Sequence, residues 1–351
     1  MIIAAQLALG GVLGPGWAEI DGDQLAGIGH GDPPGAPDAS LDGVLAPGLC
    51  DLQVNGGAGF EVTGGSAALD AIDALQLAHG VTSYLPTLVS PADGSALNAL
   101  AARAADPGSP VTGVHLEGPF LSPEHPGMHP VERLRVPADG VPDWFEHPVV
   151  RLVTIAPELP GALELIERLA GQGVVVSLGH SGASADVARE AIDAGASMVT
   201  HVFNAMGPLH HRAPGLAVVA LVDERVRVGV IPDGLHVDPI VLELVRRSAG
   251  SRVVLVSDAT PAAGAPAGRY SMAGVTIDGE GRTVDGRLAG SILTLDAGVR
   301  SWLASTGATL ADALAAASSA PEPGGAADLV LFDDGGEVRR VMRRGRWLST
   351  G

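Results

Sequence analysis

Along roughly the first 45 residues, short apolar runs alternate with Gly, Asp and Pro, as in MIIAAQLALGG, GWAEIDGDQLAGIG and DGVLAPG. That rhythm predicts a few antiparallel strands. Beyond it the pattern changes to eight β-rich runs: GLCDLQVN (48–55), VTSYLPTL (81–88), VTGVHLEG (111–118), VRLVTIAPE (150–158), VVVSLGH (174–180), MVTHVFNA (198–205), VRVGVIPDG (226–234) and RVVLVSDA (252–259). Helical stretches rich in Ala and Leu separate them, among them SAALDAIDALQLAHG, ALELIERLAGQG, SADVAREAIDAG and DPIVLELVRRSAG, each ending in a glycine suited to the left-handed helix cap. Strands alternating with helices of this length imply right-handed βαβ units and a parallel sheet. Eight such units imply a closed (β/α)8, or TIM, barrel, and a doubly wound open sheet explains the count less well.

After the eighth run, 269–295 reads as a hairpin or long loop and 296–318 as helical. PEPGG (321–325) reads as a turn before two strands, in AADLVLFD and EVRRVMRRGRWL. The chain is therefore expected to be an α/β protein with a barrel over 47–320 and a small β-sandwich domain formed by both termini, 1–46 and 321–351. The arginines of RRVMRRGRW alternate with Val341, Met342 and Trp347, which fits the solvated face of a hairpin better than an anion patch.

Composition narrows the chemistry. The 351 residues are 46% apolar, enough for a large core, and with only 3% aromatics that core must be mostly Ala, Val, Leu and Ile. Asp and Glu number 40 against 21 Lys and Arg, a net charge of −19, and not one residue is lysine. A Walker A loop, a Schiff-base lysine and a carbamylated-lysine metal bridge are all excluded. An acidic chain has no basic face for nucleic acid or anionic lipid, so neither is expected as a partner. The single cysteine, Cys50, permits no internal disulfide, the amino terminus lacks a basic n-region, and no apolar stretch approaches the roughly 20 residues of a membrane span. A cytoplasmic protein is the expectation.

In a barrel, functional side chains project from the carboxyl ends of the strands. Run one closes with Gln53 and Asn55, run three with His115 and Glu117, run five with His180, run six with His201 and Asn204, run seven with Asp233 and His236, and run eight with Asp258. A single histidine at a strand end is more often a satisfied hydrogen-bonding residue than a ligand, but six ends converging on one rim point to a site. Glu117, His180 and His201 would supply two imidazoles and a carboxylate for a divalent metal that acidifies water and polarises a carbonyl. Asp258 would move the proton.

The chain resembles the N-acetylglucosamine-6-phosphate deacetylases of the amidohydrolase superfamily over nearly its whole length. The motifs that carry the likeness are PGLCDLQVNGGAG (47–59), HLEGPF (115–120), PGMH (126–129), LGHSGAS (178–184), THVFNAM (200–206) with HHRAPG (210–215), PDGLHV (232–237), LVSDAT (255–260) and LAGS (288–291). The resemblance implies a metal-dependent hydrolase that removes acetate from an N-acetylated amino-sugar 6-phosphate. It implies Glu117, His180 and His201 as metal ligands and Asp258 as the catalytic acid and base. It implies Met128, His129, Asn204, Ala205, His236 and Leu288, Ala289 and Gly290 as substrate contacts, with Arg212 on the 6-phosphate, in some members from the neighbouring subunit of a homodimer. An arginine fork suits a phosphate dianion in so acidic a protein.

Many amidohydrolases carry a His-x-His pair after the first strand, where this chain has Gln53 and Asn55. Amides are poor ligands for a transition metal, so a single ion is expected, zinc before iron or another divalent, with Gln53 and Asn55 as supporting hydrogen-bonding residues. The chain departs from the family after LAAASSAP (314–321), where the connection to GGAADLVLFD is shorter than in relatives. The metal identity and the choice between glucosamine and galactosamine epimers stay open at this stage.

Overall fold

A computed structural model describes residues 1–349. Eight parallel strands stand where the eight runs are: Leu49–Val54, Val81–Val89, Val114–Glu117, Val150–Ile155, Val175–Leu178, Met198–Val199, Arg227–Val230 and Val253–Leu255. They pair in chain order. Closure between the first and the last is made by a bridge from Val54 to Ala259 and by Asp51, whose Oδ1 accepts the Gln53 and Ser257 N–H groups at 3.2 Å each. Burial pushes Asp51 up to about 6.

The helices form where the periodicity places them, over Ser66–Ala78, Ala162–Gly171, Ala185–Asp193 and Pro239–Ala249. Ser184 and Asp238 start two of them by accepting the Val187 and Ile240 N–H groups, caps worth about 1 kcal/mol each. Their apolar faces and the outward sides of the strands form one continuous core, rich in Val, Leu and Ala as the composition requires. A smaller apolar plug, with Leu85, Leu152, Met198, Ile231, Val254 and Val256, fills the barrel axis. Above it lies a polar layer in which Thr87, His115, Thr154, Thr200 and Ser177 are linked by hydrogen bonds of 2.6–3.2 Å. His115 uses both ring nitrogens there and burial pushes it down to about 4, so this strand-end histidine is a neutral structural residue below the rim.

After the eighth strand comes a hairpin, Arg269–Met272 with Val275–Asp278, and then helices Leu295–Ser305 and Leu310–Ala317. The termini share one seven-stranded sheet: Ile2–Leu9, Val12–Asp21, Gln24–His30 and Ala39–Pro47 from the front, Leu329–Phe332, Val338–Arg343 and Arg346–Trp347 from the back. This sheet folds over itself, because the Leu25 N–H donates to Gly325 and the Ala327 N–H to Asp23. Ile3, Leu7, Ile20, Leu25, Leu329 and Met342 fill the fold. The arginine-rich tail is a hairpin, with Arg340 stacked 4.2 Å over Trp347. Among the described residues, no helix is long and apolar enough to cross a membrane.

Candidate active site

Four rim residues share an uncommon backbone. Ser90, His180, His201 and Asp258 each follow a parallel strand, at its end or within three residues of it, and have φ of +36°, +49°, +26° and +49°. A left-handed residue there turns the chain sharply and swings its side chain over the barrel mouth, a conformation that costs non-glycine residues about 1 kcal/mol or more. The packed strands below hold it in place.

Glu117 is the centre of the cluster. Its Oε1 lies 3.2 Å from His180 Nε2 and 3.0 Å from His201 Nε2, and those two nitrogens are 3.2 Å apart. The His180 Nδ1–H donates to the His125 carbonyl at 3.0 Å, which leaves Nε2 with its lone pair facing Glu117 and His201. Two imidazole nitrogens and a carboxylate oxygen packed this closely, all buried, have the chemistry and convergence of a divalent-cation site. Glu117, His129 and His180 form an overlapping set, but His129 Nε2 is 3.7 Å from Glu117 Oε2, farther than either of the other two from Oε1. Burial works against charge on Glu117, yet the three histidines hold it well below the usual carboxylate range. Burial and the neighbouring His129 push His180 down to about 4, whereas on His201 the Glu117 contact outweighs burial and raises it.

Asp258 lies across from this cluster. Burial, then the Glu117 charge, push it up to about 7, while His201, His236 and the Asn55 hydrogen bond act the other way. Asn55 donates to its Oδ1 at 2.8 Å, and Gln53 donates to Glu117 Oε1 at 3.0 Å. His236 is fixed by Asp233, whose Oδ2 is 2.6 Å from His236 Nδ1.

A cavity of about 130 Å³ gathers these groups. Its lining includes Asn55, Glu117, Met128, His129, His180, His201, Asn204, Ala205, His236, Asp258, Leu288, Ala289 and Gly290. Gly290 has φ +117°, and a Cβ there would meet the Asp258 carbonyl oxygen at 2.8 Å. Two candidates stand outside the lining. Gln53 is buried behind Glu117, and Arg212 is exposed on the loop after the sixth strand. Three features were not anticipated from sequence: Ser90, whose Oγ is 2.8 Å from His129 Nδ1, the Asp233–His236 pairing, and Met272 from the hairpin, which lines the cavity. Ser90 closes the second strand as Glu117, His180 and His201 close theirs, and that position was the available signal.

Among curated proteins, the chain is 39% identical over 337 residues to N-acetylglucosamine-6-phosphate deacetylase of Bos taurus, covering 86% of this chain and 82% of that one. It is 38% identical over 335 residues to N-acetylgalactosamine-6-phosphate deacetylase of Escherichia coli O157:H7, covering 87% and 88%. Among solved structures, a mutant N-acetyl-D-glucosamine-6-phosphate deacetylase of Mycobacterium smegmatis in complex with N-acetyl-D-glucosamine-6-phosphate superposes with a TM-score of 0.90 at 34% identity, over 100% of this chain and 99% of that one. The Thermotoga maritima deacetylase gives 0.88 at 26% identity over 99% of each. No family model matches the chain.

Proposed function

The chain belongs to the N-acetylglucosamine-6-phosphate deacetylase family, and from that we propose that it hydrolyses N-acetyl-D-glucosamine 6-phosphate to D-glucosamine 6-phosphate and acetate, a step of amino-sugar catabolism or recycling. The observation that carries the reading is the shared cavity, which joins the Asp258 carboxylate to the Glu117–His180–His201 cluster.

Glu117, His180 and His201 would hold one divalent ion, zinc first, iron or another divalent as alternatives. When bound, such an ion polarises the amide carbonyl and acidifies water. Asp258 takes the proton of the attacking water. With Oδ1 committed to Asn55, its Oδ2 is the oxygen that handles this proton and returns it to the departing amine. His129 donates to the carbonyl oxygen as negative charge grows there. His236, steadied by Asp233, together with Asn204 and Ala205, holds the sugar, and Leu288–Gly290 close over the acyl group. Gln53 and Asn55 spend their N–H groups on the two carboxylates, which supports a single ion.

The 6-phosphate is assigned to Arg212 in a homodimer. Its exposure, and its place outside the lining of its own cavity, support delivery to a neighbouring subunit. A cytoplasmic location agrees with the single unpaired thiol of Cys50. The galactosamine epimer is the second reading, favoured by the 38% identity to the E. coli enzyme named for it. The test is acetate release from both epimers by the zinc-loaded protein beside Asp258→Asn. Turnover that falls by about 10²- to 10⁴-fold in the variant is expected, and an undiminished variant overturns the assignment.

A further inference from the structure

The cavity lining is divided. Val89, Met128, Met272 and Ala289 belong to one buried apolar cluster, and all four face the cavity. Met272 is 1% exposed and ends the first strand of the hairpin. The hairpin is seated firmly, since the Ala273 N–H donates to Glu61 Oε1 at 3.0 Å and Ile277 packs into the same cluster.

This apolar wall is tied to the reacting groups on two sides. Met128 precedes His129 in the chain. Ala289 and Gly290 lead to Ser291, whose N–H donates to the Asp258 carbonyl at 2.9 Å. An amide carbon attacked beside Asp258 carries two substituents. The nitrogen side bears a charged, hydroxylated sugar phosphate and needs polar contacts and the open mouth. The acyl side is the one an apolar wall suits. At about 130 Å³ the cavity is well under the roughly 300 Å³ of a small ligand pocket, so it encloses only the reacting end of the substrate.

We infer that Met272 is the wall that limits acyl length, making the site selective for acetyl over propionyl and butyryl amides of the same sugar phosphate. The inference rests on the deacetylase reading above. A longer acyl chain drives its extra methylene into the Met272 thioether, which Val89, Met128 and Ile277 keep from yielding.

The experiment measures kcat/KM of the zinc-loaded protein on the N-acetyl, N-propionyl and N-butyryl substrates, for wild type, Met272→Ala and the volume-conserving Met272→Leu. Wild type is expected to lose about 10- to 200-fold for the added methylene. Met272→Ala should raise the propionyl-to-acetyl ratio at least about tenfold, with Met272→Leu close to wild type. Thermal melts identify a variant that merely unfolds, and the wild-type series alone can overturn the inference without any variant. A flat wild-type profile, or a Met272→Ala enzyme that loses all three activities in proportion, overturns the inference and leaves the deacetylase reading intact. No acyl release from any of the three overturns that reading and the wall with it.

Discussion

Asn55 donates its side-chain N–H to Asp258 Oδ1 across 2.8 Å, joining the residue after the first barrel strand to the turn after the eighth. The Asn55 Oδ1 has no partner among the described residues, so the carboxylate alone orients this amide. Hydrogen bonds to charged groups contribute roughly 1.5–3 kcal/mol, so Asn55→Ala should lower kcat by about 10- to 100-fold with KM little changed. Asn55→Asp instead puts a second carboxylate against Asp258, which raises the pair's apparent pKa and moves the acid limb of the pH–rate profile to higher pH. An unmoved acid limb would show that this amide does not tune Asp258.

Ser90 holds His129 through its Oγ, 2.8 Å from Nδ1, and does so from a backbone at φ +36°. Ser90→Ala and Ser90→Gly both remove the hydroxyl, so their turnover should fall together. Their melting temperatures should separate, because glycine relieves a left-handed strain of about 1 kcal/mol that alanine keeps. If turnover followed stability rather than the hydroxyl, the hydrogen bond would have no part in positioning His129.

How much of this was legible in the sequence follows from what each residue has to do. Glu117, His180, His201 and Asp258 are recognisable because strand ends are readable from apolar runs and a barrel sends all such ends to one rim. His115 looked the same and is not part of the rim, since only the strand's register decides that its ring falls one layer lower, among Thr87, Thr154 and Thr200. Ser90 carries no chemical signature until His129 is seen beside it. Met272 arrives from a hairpin whose place over the barrel is set by the Glu61 contact, which no local pattern encodes. Arg212 is legible only by resemblance, because it stands exposed outside the lining of the cavity in its own chain.

Asp258 also links stability to pH in chelator-treated protein. Its folded pKa is raised to about 7 from an ordinary 3.8, chiefly by burial, so the stability associated with its protonated form is full below the unfolded value and is lost as pH rises toward and through about 7. Asp258→Asn cannot ionise and escapes that loss. It should stabilise the metal-free protein by roughly 2–3 kcal/mol more near pH 8 than near pH 5, measured by urea unfolding. An equal effect at both pH values would contradict the raised pKa.

Asp296 has the opposite sign. Burial acts to raise it, but His79 at 3.0 Å and Arg300 at 2.9 Å hold it well below the usual carboxylate range. Its contribution is therefore present above the unfolded pKa and disappears as pH falls below it. Asp296→Asn should cost about 1–3 kcal/mol near neutral pH, and the gap to wild type should narrow steadily in acid. A gap independent of pH would assign the cost to packing rather than charge.

The folded-over terminal sheet imposes an order of events on biosynthesis. Ala39–Pro47 pairs with Leu329–Phe332, Leu45 opposite Leu331, although the two strands lie at opposite ends of the chain. While the ribosome is still making the barrel, the front strands wait with an apolar edge open to other chains. Residues 329–347 therefore act as a seal, and a transcript cut short just before them would release a complete catalytic rim on a polypeptide prone to clump.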